Sequence, residues 1–176
     1  MSVGLESERP SRDDVWLDQA FTISRRSKDR STRVGCVIVG EYDIPLAQGY
    51  NGIPRGCDDD APHRHKRPGK YYYFEHGERN AIFNAARKGH ALNGSKMYLT
   101  APPCADCSRA IIQVGIIELI CASDIVPKRF KESCSAAMEM LQEAKVKVRL
   151  PNSEEAISDF QYVDREGWGD DRSRPS

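Results

Sequence analysis

The chain has 176 residues, 39% of them hydrophobic, and its 26 Lys and Arg balance 26 Asp and Glu to a net charge of zero. That length and apolar content suit one compact domain with a core of its own and leave little for a second. A dedicated polynucleotide binder carries a basic excess, so neutrality favours a small substrate over a nucleic acid polymer. The first residues, MSVGLESERPSRDD, put charges where a secretion signal needs an apolar run, and no stretch reaches the length of a membrane span. Both features predict a soluble cytoplasmic protein. Six cysteines in that setting read as thiols, with metal binding favoured over disulfides.

Residues 1–13 and 165–176 are polar and rich in breakers, so both are expected to be flexible. The body of the domain is expected over 14–150, followed by a partly helical extension over 151–176. Asp14 is placed to cap a helix carrying Trp16, Leu17, Ala20, Phe21 and Ser24 at helical spacing. Val34 to Val39 is a continuous β-branched run that reads as a strand buried on both faces. Leu46 to Tyr50 is a second strand, and the link from Gly40 to Pro45 is short enough for a hairpin. From Asn51 to Glu75 runs a long segment rich in Gly, Pro, Asp, His and Arg, and loops of that length tend to carry function.

A helix is predicted from His76 to about Lys88, with Gly89 as its stop, then a strand over Lys96–Thr100. A second helix of this kind starts at the Pro103-Cys104 step and runs to about Val114, followed by a strand at Glu118–Cys121. Lys131–Ala144 reads as helix, Val146–Arg149 as strand and Ser153–Phe160 as a last short helix. Strands alternating with helices predict an α/β domain with helices on both faces of one sheet.

His76-Gly77-Glu78 and Pro103-Cys104-Ala105-Asp106-Cys107 carry the chemistry. Cysteines at i and i+3 share a helix face, and a helix N-terminus favours thiolate over thiol. One imidazole and two thiolates make a three-ligand Zn²⁺ site, and a catalytic zinc, unlike a structural one, leaves a position for water. Zinc there lowers the pKa of bound water toward neutrality. Residues two apart in a first turn point in different directions, so Glu78 is read as a proton shuttle, not a fourth ligand. Closing the site structurally would need Cys57, His63 or His65, which are the local candidates for a second metal. Cys36, Cys121 and Cys134 lie in apolar or helical surroundings and read as core residues. His90 follows a helix-stopping glycine and reads as a charge partner of that helix end.

H-x-E followed by P-C-x-x-C is the established signature of zinc nucleobase deaminases. Over about residues 14–150 the chain resembles the deoxycytidylate (dCMP) deaminases of the zinc-dependent cytidine/deoxycytidylate deaminase superfamily. Beyond the zinc motifs the resemblance rests on Arg26-Ser27-Lys28-Asp29, on Val34-Gly35, on Gly49-Tyr50-Asn51-Gly52-Ile53-Pro54-Arg55-Gly56, on Asn80-Ala81-Ile82 and on Ala110-Ile111-Ile112 with Gly115-Ile116.

That resemblance implies a three-layer α-β-α fold on a mixed five-stranded sheet, its first two strands an antiparallel hairpin and the rest parallel. It implies conversion of dCMP to dUMP and ammonia for thymidylate synthesis, with His76, Cys104 and Cys107 on zinc and Glu78 moving protons. Asn51 would bond the deoxyribose 3′-hydroxyl, and the main chain near Gly77, Thr100 and Ala101 would read the pyrimidine edge. Arg26, Lys28, Arg33 and Arg55 are candidates for the 5′-phosphate, for which guanidinium groups are well suited. Relatives are usually homo-oligomers, often hexamers, and many respond to dCTP and dTTP with Mg²⁺ beside the effector.

The chain departs from the family pattern at Gly77, where alanine is usual, which is expected to let backbone approach the ring more closely. It departs again at Glu75 and at Arg79, a commonly apolar position from which Arg79 would reach substrate phosphate or face solvent. Two alternatives stand beside the leading one. The first is another zinc deaminase, acting on dCTP, on modified dCMP or on a tRNA or single-stranded DNA base, and the polymer-directed ones would need basic and aromatic surface beyond the pocket. A catalytically silent zinc-containing nucleotide-binding protein would have no use for Glu78.

Overall fold

The computed structural model describes residues 9–164. The stretches expected to be flexible fall largely outside that range. Helix α1 spans Arg12–Ser24 and is capped by Ser11, whose Oγ accepts from the Asp14 amide at 3.0 Å and donates to the Asp14 carboxylate at 2.7 Å. Asp14 is therefore not the cap; it answers the cap from the first turn, as in a reciprocal capping box. Phe21, expected on the buried stripe, is 37% exposed, and the stripe is made by Leu17, Ala20 and Ser24.

Strands β1 (Gly35–Val39) and β2 (Pro45–Tyr50) form the expected antiparallel hairpin. Strand β3 (Lys96–Leu99) lies on the other side of β1, also antiparallel to it, and β4 (Glu118–Cys121) and a later strand, Lys147–Arg149, follow in parallel. Strand β1 is thus the one reversed member of a five-stranded sheet. Between β4 and that last strand comes β5 (Ile125–Pro127), which makes Lys147–Arg149 strand β6 and the sheet order β2-β1-β3-β4-β6. Strand β5 pairs in parallel with β7 (Gln161–Val163) as a separate two-stranded unit.

The helix expected over Ser153–Phe160 does not form. Ile157 instead donates its amide to the Val148 carbonyl at 2.8 Å, and Ala156 bridges to Arg149. So short a segment gains little from closing an isolated helical turn, and the open edge of β6 offers it ladder bonds.

Helices α2 (Gly77–Lys88), α3 (Ala105–Gln113) and α4 (Lys131–Glu143) cover one face of the sheet, burying Ala81, Ile82, Ile111, Met138 and Leu141 against Cys36, Ile38, Leu99 and Leu119. Helix α1 covers the other, with Leu17 and Ala20 on Val37, Val39, Tyr98 and Ile120. Alternate residues of β1 thus enter two different cores, as a continuous apolar strand requires. Cys36, Cys121 and Cys134 are core residues, as expected.

Two glycines set the distance between the layers. A Cβ on Gly35 would fall 1.9 Å from the Ala20 carbonyl oxygen, and one on Gly49 would fall 2.3 Å from the Ala81 nitrogen. Helix α2, which carries the histidine motif, can therefore touch β2 backbone to backbone.

The long segment after β2 is a closed excursion. Gly52 and Glu75 exchange both backbone hydrogen bonds, at 3.0 and 2.8 Å, so Asn51 and His76 are held at the two sides of one neck. Beyond the neck lie two 3-10 turns, Pro62–His65 and Gly69–Tyr72. No described helix is long and apolar enough to cross a membrane.

Candidate metal centre and active site

Two neighbouring helices present their first turns to the same point. His76 is the N-cap residue of α2, Cys104 is that of α3, and Cys107 lies in the first turn of α3. Pro103, expected just inside the helix, is buried immediately ahead of the cap. Helix α4 completes the arrangement, since Ser133 Oγ accepts the Ala105 amide at 3.1 Å, one of the donors that a helix start leaves open. The other helix is tied to the sheet by Asn80, whose Nδ2 donates to the Tyr50 carbonyl at 2.8 Å.

The sulfurs of Cys104 and Cys107 each lie 3.4 Å from His76 Nδ1. A tetrahedral ion with ordinary zinc–nitrogen and zinc–sulfur bonds would separate such atoms by about 3.6 Å. These three residues are the only group of metal-ligating side chains that converges among the described residues, and they grade from exposed His76 to buried Cys107. The set therefore fits a zinc ion that is sheltered on the thiolate side and open on the imidazole side.

Protons in this cluster are shared. The Cys104 thiol falls to about 4, first through its hydrogen bond with Cys107, while Cys107 is driven well above the usual thiol range by the same bond. His76 rises to about 9, chiefly through its hydrogen bond to Cys104. Negative charge is thus already favoured where a cation would sit, and a bound dication would displace the remaining thiol proton.

Glu78 lies outside the converging set. Its side chain is 3% exposed, and Oε2 is buried with no hydrogen-bond partner. Burial lifts its carboxyl to about 7, although the nearby imidazole pulls it down. A buried carboxyl oxygen without a partner is costly unless something else uses it.

The phosphate candidates divide. Arg26, Lys28 and Arg33 line one cavity of about 410 Å³ together with Arg25, Arg30, Ser27, Asp60 and His65. A smaller cavity of about 80 Å³ shares Arg26 and Lys28 and is walled by Tyr50, Gly52, Ile53 and Phe74, next to the neck of the loop. Lys28 is engaged by Asp59 and Asp60, at 3.5 and 3.1 Å. Arg55 lines neither cavity and donates at 2.5 Å to Oδ1 of Asn84, a residue of α2 that is itself bonded to the Gln48 carbonyl of β2. Arg25 and Arg30 escaped the sequence reading, although both belong to the same basic run.

Asn51 is buried, and its amide is used within the chain: Oδ1 accepts from Val34 N at 2.8 Å and Nδ2 donates to the Thr32 carbonyl at 2.8 Å. Thr100 is bonded to Gly35 through both its amide and its hydroxyl, and Ala101 is buried beside it.

A family profile for the cytidine and deoxycytidylate deaminase zinc-binding region matches residues 10–123. The chain belongs to this deaminase family. Its zinc ligands are His76, Cys104 and Cys107. The chain is 35% identical to the deoxycytidylate deaminase of Homo sapiens over 93% of its own length and 89% of that protein's. It is 37% identical to the Mus musculus enzyme over the same shares. Among solved structures it is similar to the dCMP deaminase of cyanophage S-TIM5 in complex with dCMP and dUMP, with 25% identity and a TM-score of 0.66 over 81% of this chain and 98% of that one.

Against the deaminase pattern, three departures take on a physical meaning. A Cβ on Gly77 would meet the Val34 carbonyl oxygen at 3.1 Å and Tyr50 Cα at 3.4 Å, so the missing methyl eases the fit of α2 against the sheet. Arg79 neither reaches into the basic cavity nor stands free: it grips Glu75 with Nε at 3.0 Å and Nη2 at 3.3 Å. The two unusual residues are partners across one helical turn. His90 is bonded through Nδ1 to the Leu46 carbonyl at 2.7 Å, which corrects its reading as a helix-end charge.

Cys57, His63 and His65 do not converge as ligands. Cys57 is exposed, His63 stacks edge-on to Tyr73, and His65 Nε2 is bonded to the Asp59 carbonyl at 2.7 Å.

Proposed function

We propose that this protein catalyses the hydrolytic deamination of dCMP to dUMP and ammonia. The observation that carries the proposal is Glu78 Oε2, buried and unpartnered beside three converging zinc ligands. A structural metal gains nothing from such a neighbour. The similarity to deoxycytidylate deaminases over nearly the whole chain supports the choice of substrate.

When bound by His76, Cys104 and Cys107, zinc supplies a Lewis acid that makes water acidic enough to serve as nucleophile near neutral pH. Glu78 takes the proton from the attacking water and delivers it to the cytosine ring N3 as oxygen joins C4. The carboxylate so regenerated then takes the proton of the new C4 hydroxyl and passes it to the amine, so that the C4 carbonyl forms as the C4–N bond breaks and ammonia leaves. Its elevated protonation range suits a group that must both accept and donate. The main chain at Gly77, Thr100 and Ala101 faces the pyrimidine edge in this reading, and Asn51 receives the sugar hydroxyl through the remaining lone pair of Oδ1.

Arg26, Lys28 and Arg33, with Arg25 and Arg30, take the 5′-phosphate. Of these, Arg25, Arg26, Arg30 and Arg33 have no carboxylate partner among the described residues, as cations awaiting an anion should. The family resemblance extends the reading to a cytoplasmic homo-oligomer, up to a hexamer, with dCTP and dTTP as effectors and Mg²⁺ beside them. The deaminase domain in this reading occupies about 14–150.

Incubation of the purified protein with dCMP, dCTP, deoxycytidine and 5-methyl-dCMP, following ultraviolet change and ammonia, tests the proposal. Turnover is expected with dCMP above the others. Absence of ammonia from all four would overturn it.

A further inference from the structure

The segment that carries the basic run has an inside and an outside. Arg26, Lys28 and Arg30 are exposed, whereas Ser27 and Asp29 between them are buried. The inner residues are bonded to one another and to Asn51. Asp29 Oδ1 accepts from the Ser31 amide at 2.9 Å, the Ser31 hydroxyl at 3.0 Å and the Thr32 amide at 3.3 Å, and Oδ2 accepts from Asn51 Nδ2 at 3.3 Å. Ser27 Oγ donates to the Asn51 carbonyl at 2.7 Å. One carboxylate thus fixes both the turn that presents the cations and the asparagine at the loop neck.

The charge of Asp29 is answered from a distant part of the chain. Lys70, on the second 3-10 turn of the long excursion, places Nζ 3.0 Å from Oδ1 and 2.8 Å from Oδ2, and 2.7 Å from Ser31 Oγ. Both side chains of the ion pair are only 7% exposed. A buried carboxylate stripped of its cation is strongly destabilised, and a nearby cation that can reach it relieves that cost, as does a proton. The guanidinium groups of that basic run without a carboxylate partner among the described residues are those of Arg25, Arg26, Arg30 and Arg33, which line the large cavity.

We propose that Lys70 is a positioning residue for the deamination: by neutralising Asp29 inside the protein, it leaves the outer arginines turned toward the substrate phosphate and Asn51 held in place. The long excursion between β2 and α2 is, on this view, a strut that brings one ammonium group to the back of the phosphate-binding turn. The inference rests on the proposed function. Lys70 itself is buried behind the turn and touches no part of the substrate.

The test is steady-state kinetics with dCMP on the full-length protein. Lys70→Met is expected to raise KM about tenfold, the worth of one good charge contact, with kcat within about threefold of wild type. Lys70→Arg, which keeps the charge, should restore most of the affinity. The double variant Asp29→Asn with Lys70→Met removes the buried anion together with its partner, so its KM should fall below that of Lys70→Met alone. Lys70→Met with a KM within about twofold of wild type would overturn the proposal, as would a double variant whose KM is as high as that of the single one. If Lys70→Met does not fold, the double variant decides: a KM near wild type supports the proposal and a tenfold rise refutes it. If wild-type protein leaves dCMP unchanged, the deaminase reading fails on its own. Titration calorimetry with dCMP then compares Kd for the same variants, with the same tenfold loss expected and equal Kd contradicting it.

Discussion

Gly49 and Ala81 meet backbone to backbone: a Cβ on the glycine would lie 2.3 Å from the alanine nitrogen and 2.4 Å from the Gly77 carbonyl oxygen. This contact sets how deeply the start of α2, and with it His76 and Glu78, sits against the sheet. Gly49→Ala must push α2 outward, since neither neighbour is a flexible side chain. It should cost about 1–3 kcal/mol, read as a lower urea midpoint, and should reduce turnover as well. Gly77→Ala is the control. Its Cβ would be merely tight, at 3.1 Å from the Val34 carbonyl oxygen. Alanine's better helix propensity, worth up to about 1 kcal/mol, offsets that strain, so midpoint and activity should stay close to wild type.

Cys104→Ala and His76→Ala each remove one of three ligands, and three is the fewest that hold a zinc with an open position. Both should purify without stoichiometric zinc by atomic emission and show no measurable ammonia release. Cys57→Ala, which alters an exposed cysteine outside the converging group, should keep both zinc and activity.

Burial pushes the Asp29 carboxyl up, but the bonds from Lys70 and Ser31 outweigh it and hold the group below the ordinary carboxylate range. Asp13 behaves alike, with Arg149 and the Asn152 amide overcoming its burial. A carboxyl whose folded pKa is depressed stabilises the protein above its unfolded value, near 4, and loses that contribution as pH falls through the folded one. The Tm of wild type should therefore drop steeply below about pH 4. Asp29→Asn should start lower at pH 7 and lose less over the same acid range, as differential scanning calorimetry would show.

Much of the site could be read without coordinates because its signals are local. His76, Cys104 and Cys107 lie where first turns of helices begin, and residues three apart on a helix need no tertiary information to share a face. The β1 run and Gly89 announced themselves in the same way. What escaped reading depends on partners far away in sequence. Lys70 answers Asp29 across 41 residues, and Arg149 answers Asp13 across 136, bonded also to Glu118 at 2.6 Å. In a chain with so many charges, nothing in composition distinguishes those few from residues that simply face water. Arg55 shares a motif with Asn51, yet its guanidinium is bonded to Asn84 of α2 and lines neither basic cavity, a placement that only tertiary structure decides. The short helix after β6 failed for the opposite reason: its local pattern was helical enough, but the edge of β6 was the stronger partner.

The central claim is that a buried carboxylate beside the zinc ligands moves protons and does not bind the metal. Glu78→Ala, assayed together for bound zinc and for ammonia released from dCMP, tests it most directly. About one zinc per chain is expected, with a rate lowered by at least about 100-fold, the usual contribution of a positioned general acid–base. Ammonia release at the wild-type rate, or loss of the zinc along with the carboxylate, would contradict it.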